Sequence, residues 1–216
     1  MKQAQIEVTL VDSMGGDLGV VNAARVSFDK NVSELGGQDA KLIQYLAAHN
    51  HWSPFGHAQV QIRCKAPLFV ARQLGKHQVG LVWNEVSRRY VDSCPEFWIP
   101  EVVHQRPDKS LKQGCGAVHI DTSEIVHDLR EVTRAAYDNY IWLLEAGVAP
   151  EEARMVLPQN TMTEWIWTGS VAAFARIIKL REDGHTQKSG TQEFAHKLRS
   201  AVYDTAPLSF AALLGV

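Results

Sequence analysis

Cysteine is scarce in this chain, three residues in 216, and Cys64, Cys94 and Cys115 are odd in number and widely separated. That pattern fits neither a disulfide framework nor paired metal ligands, and reduced thiols are expected. Long apolar runs are missing as well. No window approaches the ~18 residues of a membrane span, and "MKQAQIEVTLVDS" holds no apolar stretch of signal-peptide length. A cytoplasmic protein without a membrane partner is expected. An excess of one charge is also absent, with Lys+Arg 22 against Asp+Glu 24, so a nucleic-acid partner is not expected. Neither a glycine-rich dinucleotide fingerprint nor a phosphate-cradling P-loop occurs, and there is no serine nucleophile elbow. The histidines do not supply a metal motif: His49, His51 and His57 in "HNHWSPFGH" miss the zinc spacings and Pro54 interrupts them. No metal is expected.

What is present suits an ordinary globular protein, 45% apolar and 21% charged, with a length appropriate to one domain over residues 1–216. "QIEVTLV" alternates Ile6, Val8 and Leu10 inward like a half-buried strand, and Asp17 is placed to cap a helix through "LGVVNAARVSF". A second helix is predicted over "QDAKLIQYLAAH". In "HAQVQIRCK" the period changes to two, which predicts a strand with one wet face. Pro67 then suits the first turn of a helix "PLFVARQLGKH" that Gly80 ends, and "LVWNEVSRRYV" reads as extended or looped. From Ser123 to Glu145 a long helix is predicted, with Ile125, Leu129, Val132, Ala136, Tyr140 and Leu143 on its apolar stripe. A short helix "PEEARMVL", a strand "TMTEWIWT" with Trp165 and Trp167 in the core, and helices over "SVAAFARIIKLR" and "GTQEFAHKLRSAV" complete the series. Helices wrapped around a small, mostly antiparallel sheet, an α+β fold, is the architecture these elements predict.

One stretch stands apart chemically. "NEVSRRY" sets Ser87, Arg88 and Arg89 in consecutive positions on non-helical backbone, beside Glu85. Hydroxyl, guanidinium and main-chain donors can converge there on one phosphate, while the carboxylate accepts from a ligand hydroxyl or imide, although a solvated loop of surface ion pairs fits the same composition. Arg181, at the end of "FARIIKL", sits either as a cation at a negative helix terminus or as a ligand-binding group. On local grounds an anion such as a nucleotide is the expected ligand, with the solvated loop as the alternative.

Between Val8 and His196 the segments "VDSMGGDL", "AARVSFD", "LIQYLAAHNHWSPFGH", "KAPLFVARQ", "NEVSRRY", "EFWIP", "GVAPEEARMVLP" and "LREDGHTQ" follow one another. In that order the chain resembles the flavin-dependent thymidylate synthases. The resemblance implies a homotetramer of α/β subunits with flavin adenine dinucleotide (FAD) where subunits meet. The reaction implied is reductive methylation of 2′-deoxyuridine 5′-monophosphate (dUMP), with methylenetetrahydrofolate giving the carbon and NADPH reducing the flavin. It assigns Gln73, Lys76, Glu85, Val86, Ser87, Arg88 and Arg89 to dUMP, with Arg154 reaching the phosphate from a neighbouring subunit, and Arg181 to the pyrimidine as the catalytic cation. To the cofactors it assigns Ser27, His51, Ser53, Lys76, His77, Gln78, Asn84, Glu85, Ser170, Arg176 and His185. The chain departs from the family pattern at the usual Arg-His-Arg triplet, which reads Lys76-His77-Gln78, with "VGLVW" one residue longer than the common gap. It departs also at Gly56, where an acid is usual, at Ser170-Val171-Ala172, where an Asn-x-Arg pair is usual, and at Arg176, where asparagine is common. A folate-dependent pyrimidine nucleotide hydroxymethylase, and a non-catalytic nucleotide- or RNA-binding homologue, stay open as alternatives at this point.

Overall fold

Period-two sequence recurs in "QIEVTLV", "HAQVQIRCK" and "TMTEWIWT", and these stretches supply three of the four strands of the main sheet. The computed structural model describes residues 1–91, 93–109, 114–182 and 190–216. Strands β2 (Glu7–Met14), β3 (Gln59–Pro67), β4 (Leu81–Glu85) and β6 (Met162–Ser170) form one antiparallel sheet in the order β2-β3-β6-β4, while β1 (Lys2–Gln3) and β5 (Glu96–Phe97) make a short parallel pair. On β3 the residues Val60, Ile62 and Cys64 are buried, and Trp167 and Trp165 on β6 stand opposite the last two. The other face carries the wet side chains, including the Arg63–Glu164 ion pair.

Helices α1 (Gly16–Arg25), α2 (Asp39–Ala48), α3 (Leu68–Leu74), α4 (Thr122–Glu145), α5 (Pro150–Ala153), α6 (Val171–Glu182), α7 (Gly190–Val202) and α8 (Pro207–Leu214) complete the fold. Val20, Ile43, Phe174, Ile178, Phe194, Leu198 and Phe210 from these helices join the sheet residues in one core. Among the described residues no helix is long and apolar enough to cross a membrane. All three cysteines are unpaired, as the reduced-thiol reading expected.

The α+β expectation and most element positions hold, and the differences have local causes. The inward alternation of the first strand is lost after Val8: a register shift between Leu10 and Asp12 marks a bulge, and Leu10 is 41% exposed. Asp17 lies inside α1 and caps a different helix: its carboxylate accepts from the Leu208 and Ser209 backbone N–H groups (2.9 and 2.8 Å) and from Ser209 Oγ (2.6 Å). That ties the start of α8 to the start of α1. Pro67 ends β3 in extended backbone (φ −68°, ψ 152°) and precedes α3, which stops at Leu74 before Gly75. Lys76 and His77 therefore leave the helix and stand in a turn. On α4 the buried face is Val126, Thr133 and Tyr140, seven residues apart, whereas Leu129 and Val132 of the predicted stripe are exposed. Helix α8 was not predicted, although Pro207 at its first position and Gly215 (φ 78°) after its end bracket it.

Candidate functional site

Strand β4 links two cavities, and two glycines let it pair. Gly80 (φ 75°) makes the turn into it, and a Cβ on Gly169 would lie 2.4 Å from Leu81 Cδ2 and 2.8 Å from the Gly80 carbonyl, so only glycine permits the Leu81–Gly169 register. The strand is then held down by Trp83, stacked on Trp165 (centroids 4.2 Å, 15°) and edge-on to Trp167 (5.2 Å, 74°). Each such pair contributes about 0.5–1.5 kcal/mol beyond its area burial. Beyond Trp83 the strand delivers Glu85, whose Oε1 accepts from Thr163 Oγ1 (2.6 Å) and whose Oε2 accepts from Trp83 Nε1 (3.2 Å). The carboxylate is thus oriented before any ligand arrives.

Glu85 opens onto a cavity of about 780 Å³ that Arg72, Val86, Ser87, Arg88, Arg89 and Arg154 also line. Four guanidiniums and two carboxylates, Glu85 and Glu151, face this space, so it is net cationic. The "SRRY" turn is fixed internally. Ser87 Oγ accepts from Arg89 Nε (3.2 Å) and the Arg89 backbone N–H (3.3 Å), and the Ser87 carbonyl accepts from the Tyr90 and Val91 N–H groups. Arg88 Nη1 donates to the Ser93 carbonyl (2.9 Å) and Arg154 Nε to the Glu151 carbonyl (3.0 Å). Each of these guanidiniums keeps further N–H donors for a ligand. Arg154, expected to act from a neighbouring subunit, already shares this cavity within one chain.

At the other end of β4, Val79 and Gly80 line a second cavity of about 790 Å³ with His51, Trp52, Ser170, Arg176, Lys179 and residues of α2 and α8. Ser170 is buried and its Oγ accepts from the Ala173 N–H (3.2 Å), so it serves as the cap of α6. Arg176 Nη2 donates to the Val79 carbonyl (2.8 Å). His77 and Arg181 form a half-buried pair, with Arg181 Nε and Nη2 3.3 and 3.1 Å from His77 Nε2. That geometry makes Nε2 an acceptor and the imidazole neutral. Burial first, then the Arg181 and Arg176 charges, push the His77 pKa below its ordinary value. Burial also lowers the Arg181 pKa from its ordinary value, and the guanidinium remains a cation near neutrality.

The single chain does not gather every expected site residue. Gln73 accepts from Thr191 Oγ1 (2.7 Å) and, like the His77–Arg181 pair, is outside the lining of either cavity, while Ser27, Ser53, Lys76, Gln78 and Asn84 are exposed and likewise outside it. His185 lies outside the described residues. Conversely, Arg72, Thr163, Trp52, Lys179 and the α8 wall were not singled out as site groups. Thr163 could have been suspected from its place on a strand beside Glu85's own, and Lys179 from its spacing of three after Arg176. At Gly56 a Cβ would make only ordinary van der Waals contact with the Trp52 indole, 3.6 Å from Cζ3, so the structure does not explain the glycine there. Among the described residues no group of three or more His, Cys, Asp or Glu side chains is arranged to hold a metal.

A family model described as thymidylate synthase complementing protein matches residues 9–208. The flavin-dependent thymidylate synthases of Thermotoga neapolitana and Kosmotoga olearia are 36% and 38% identical, with 96% of this chain aligned to 90% and 89% of theirs. That of Thermus thermophilus is 39% identical over 95% of this chain and 74% of its own. A crystal structure of the UMP/dUMP methylase PolB from Streptomyces cacaoi with 5-Br dUMP superposes with a TM-score of 0.86 at 28% identity, covering 100% of this chain and 97% of that one. The form with 5-Br UMP gives 0.85 at 30% identity, covering 99% and 95%. With the fold and an identity of 36–39% over 95–96% of this chain agreeing, the chain belongs to the flavin-dependent thymidylate synthase family and is an enzyme of that methyltransferase class.

Proposed function

We propose that the protein converts dUMP to dTMP, taking the carbon from methylenetetrahydrofolate and the hydride from FAD reduced by NADPH. The observation that carries this reading is the cavity in which Ser87, Arg88, Arg89, Arg72 and Arg154 converge beside a preoriented Glu85. In the proposed complex Ser87, Arg88, Arg89 and Arg154 hold the phosphate, with Gln73, Lys76 and Val86 completing the nucleotide site. Glu85 accepts from a sugar or base donor. Arg181, oriented by His77, faces the pyrimidine N3–C=O edge, where a fixed cation stabilises negative charge on the ring and so raises electron density at C5, the atom that must form the new bond.

No thiol is needed for that activation, and none is placed for it. Cys64 is buried and its pKa is pushed well above 9.0 by desolvation, and neither Cys94 nor Cys115 lines either cavity.

The second cavity fits a flavin. Its volume is in the range of ligand pockets, Leu46, Ala47, Phe55 and the α8 residues supply apolar walls, and Trp52, 70% exposed, offers an indole face. When bound there, flavin supplies the hydride acceptor and donor that no side chain can. His77, Gln78, Ser27, Ser53, Asn84, Ser170 and His185 complete its site in the proposed assembly. His51 lines this cavity, edge-on to the Tyr45 and His49 rings (centroids 6.0 and 6.3 Å), and completes the flavin and folate region. The five residues of β4 separate Gly80 from Glu85 by about 16 Å, whereas hydride transfer needs contact. A homotetramer in which one chain's nucleotide cavity meets another chain's flavin cavity satisfies both, and it also covers Val26 and Phe28, which flank Ser27 and are 71% and 75% exposed.

The test is the product. Purified protein given dUMP, methylenetetrahydrofolate, NADPH and FAD is expected to release dTMP by mass spectrometry. A product heavier by one oxygen identifies a hydroxymethylase, and unchanged dUMP refutes the enzyme assignment.

A further inference from the structure

We propose that Arg176 and Lys179, on one face of α6, form the clamp for the diphosphate of a flavin dinucleotide; this rests on the flavin reading above. Where the family pattern expects guanidiniums, in the triplet and early in this helix, the chain carries Lys76, Gln78 and Ala172. Lys76 and Gln78 stand outside the cavity lining, and Ala172 lines it with a methyl group. The residues of α6 that face the cavity are Ala172, Ala175, Arg176 and Lys179. Their spacing of i, i+3, i+4 and i+7 is one stripe of an α-helix. Two small residues keep the space open at its start, and two cations stand one and two turns further along.

Side chains three apart on a helix have their Cβ atoms about 5–6 Å from each other, close enough for two flexible cationic groups to reach adjacent phosphates. Arg176 is already aimed: its Nη2 donates to the Val79 carbonyl, and Val79 lines the same cavity. Among the described residues that line the cavity there is no Asp or Glu, and neither cation is paired with a described carboxylate. Two cations with no Asp or Glu beside them on one wall, Leu46, Ala47 and the apolar residues of α8 on the others and an exposed indole at Trp52 suit a ligand with both anionic and aromatic parts. FAD has the diphosphate and two ring systems, FMN one phosphate and one ring system, riboflavin no phosphate.

The full-length apoprotein is titrated with FAD, FMN and riboflavin, following flavin fluorescence at low and moderate salt, for the wild type and for Arg176→Ala, Lys179→Ala and the double variant. Each single change is expected to weaken FAD about ten- to a hundredfold, the worth of one lost charge-assisted hydrogen bond. The salt dependence should become shallower, and riboflavin and dUMP binding should be unchanged. Arg176→Lys, which keeps the charge without the fork, should fall between wild type and Arg176→Ala and guards against a general disturbance of the Val79 turn. Equal FAD affinity in the double variant and the wild type overturns the clamp while leaving the flavin reading intact, as does a parallel loss of riboflavin binding. A wild-type protein that binds none of the three flavins overturns the flavin reading itself.

Discussion

Replacing Asp17 by alanine should loosen a wall of the cavity proposed to hold flavin from a position outside that cavity's lining. The Asp17 carboxylate, 6% exposed, receives three hydrogen bonds from the first turn of α8, at 2.9, 2.8 and 2.6 Å. A hydrogen bond to a charged group contributes about 1.5–3 kcal/mol, but the three share one carboxylate whose desolvation opposes them, and the freed N–H groups at the helix start can be rehydrated. A single helix cap is worth about 0.5–2 kcal/mol. The expected loss is therefore about 3 kcal/mol, between one cap and three independent bonds. For a chain of this size that lowers Tm by roughly 6–12 °C, measured by thermal denaturation at fixed protein concentration. Asp17→Asn keeps one acceptor oxygen and should lose about half as much. Because α8 contributes Ala211, Ala212 and Leu213 to the cavity, FAD affinity should fall in the same order, alanine below asparagine below wild type. Ser209→Ala removes one of the three bonds, so its effect and that of Asp17→Ala should be non-additive by about 1 kcal/mol or more. A Tm change under about 2 °C for Asp17→Ala, or strict additivity with Ser209→Ala, would refute the reasoning.

Acidification should act through His77. Its folded pKa lies below the ordinary 6.5, so between the two values the unfolded chain binds more protons, and the stability contribution is complete above about 6.5 and is lost as pH falls through the folded value. Protonation also puts a donor where Arg181 needs an acceptor, so turnover and unfolding midpoint should decline together below pH ~6.5, and His77→Gln should flatten both profiles; a wild-type profile already flat from pH 7 to 5 contradicts this. Gly169→Ala should displace β4, because its Cβ would meet Leu81 and the Gly80 carbonyl at 2.4 and 2.8 Å. A cost of about 1–3 kcal/mol is expected, read as a lowered denaturation midpoint with weaker dUMP binding by calorimetry, and a midpoint equal to wild type would show that the strand tolerates the methyl. Thr163→Val removes the 2.6 Å hydrogen bond that orients Glu85 and should weaken dUMP binding about tenfold, near the net value of one hydrogen bond to a charge, with little change in Tm; unaltered affinity would show that Glu85 needs no such orientation.

The parts of the fold that were legible in the sequence are those where burial and period coincide. "HAQVQIRCK" alternates because β3 has one wet face, and Trp165 and Trp167 were expected in the core because two indoles in a strand need one, where they are 2% and 0% exposed. The long helix was legible in extent but not in face. Val126, Thr133 and Tyr140 recur every seven residues, and a threonine in that row hides the stripe from a count of apolar residues. Helix α8 was illegible by periodicity because "PLSFAALL" is apolar almost throughout, and Asp17 was misassigned because its partner helix begins 190 residues later in the chain. In the candidate site, the grouping of Ser87, Arg88 and Arg89 on one cavity could be expected from "NEVSRRY" because they are consecutive. The role proposed for Arg176 with Lys179 depends on a cavity formed jointly with α2, α8 and the Val79 turn, which no local pattern encodes.

The central claim, that the cationic cavity and the flavin cavity serve one reductive methylation of dUMP, is tested most directly by a single anaerobic turnover. Protein carrying FAD is bleached with NADPH, then mixed with dUMP, with methylenetetrahydrofolate, or with both, while the visible spectrum is followed and the nucleotide is analysed. Flavin colour is expected to return only with both substrates, one dTMP forming per flavin reoxidised, and Arg88→Ala/Arg89→Ala protein, yellow before reduction, is expected to stay bleached. Colour returning with no dTMP formed, or an unimpaired double variant, would contradict that claim.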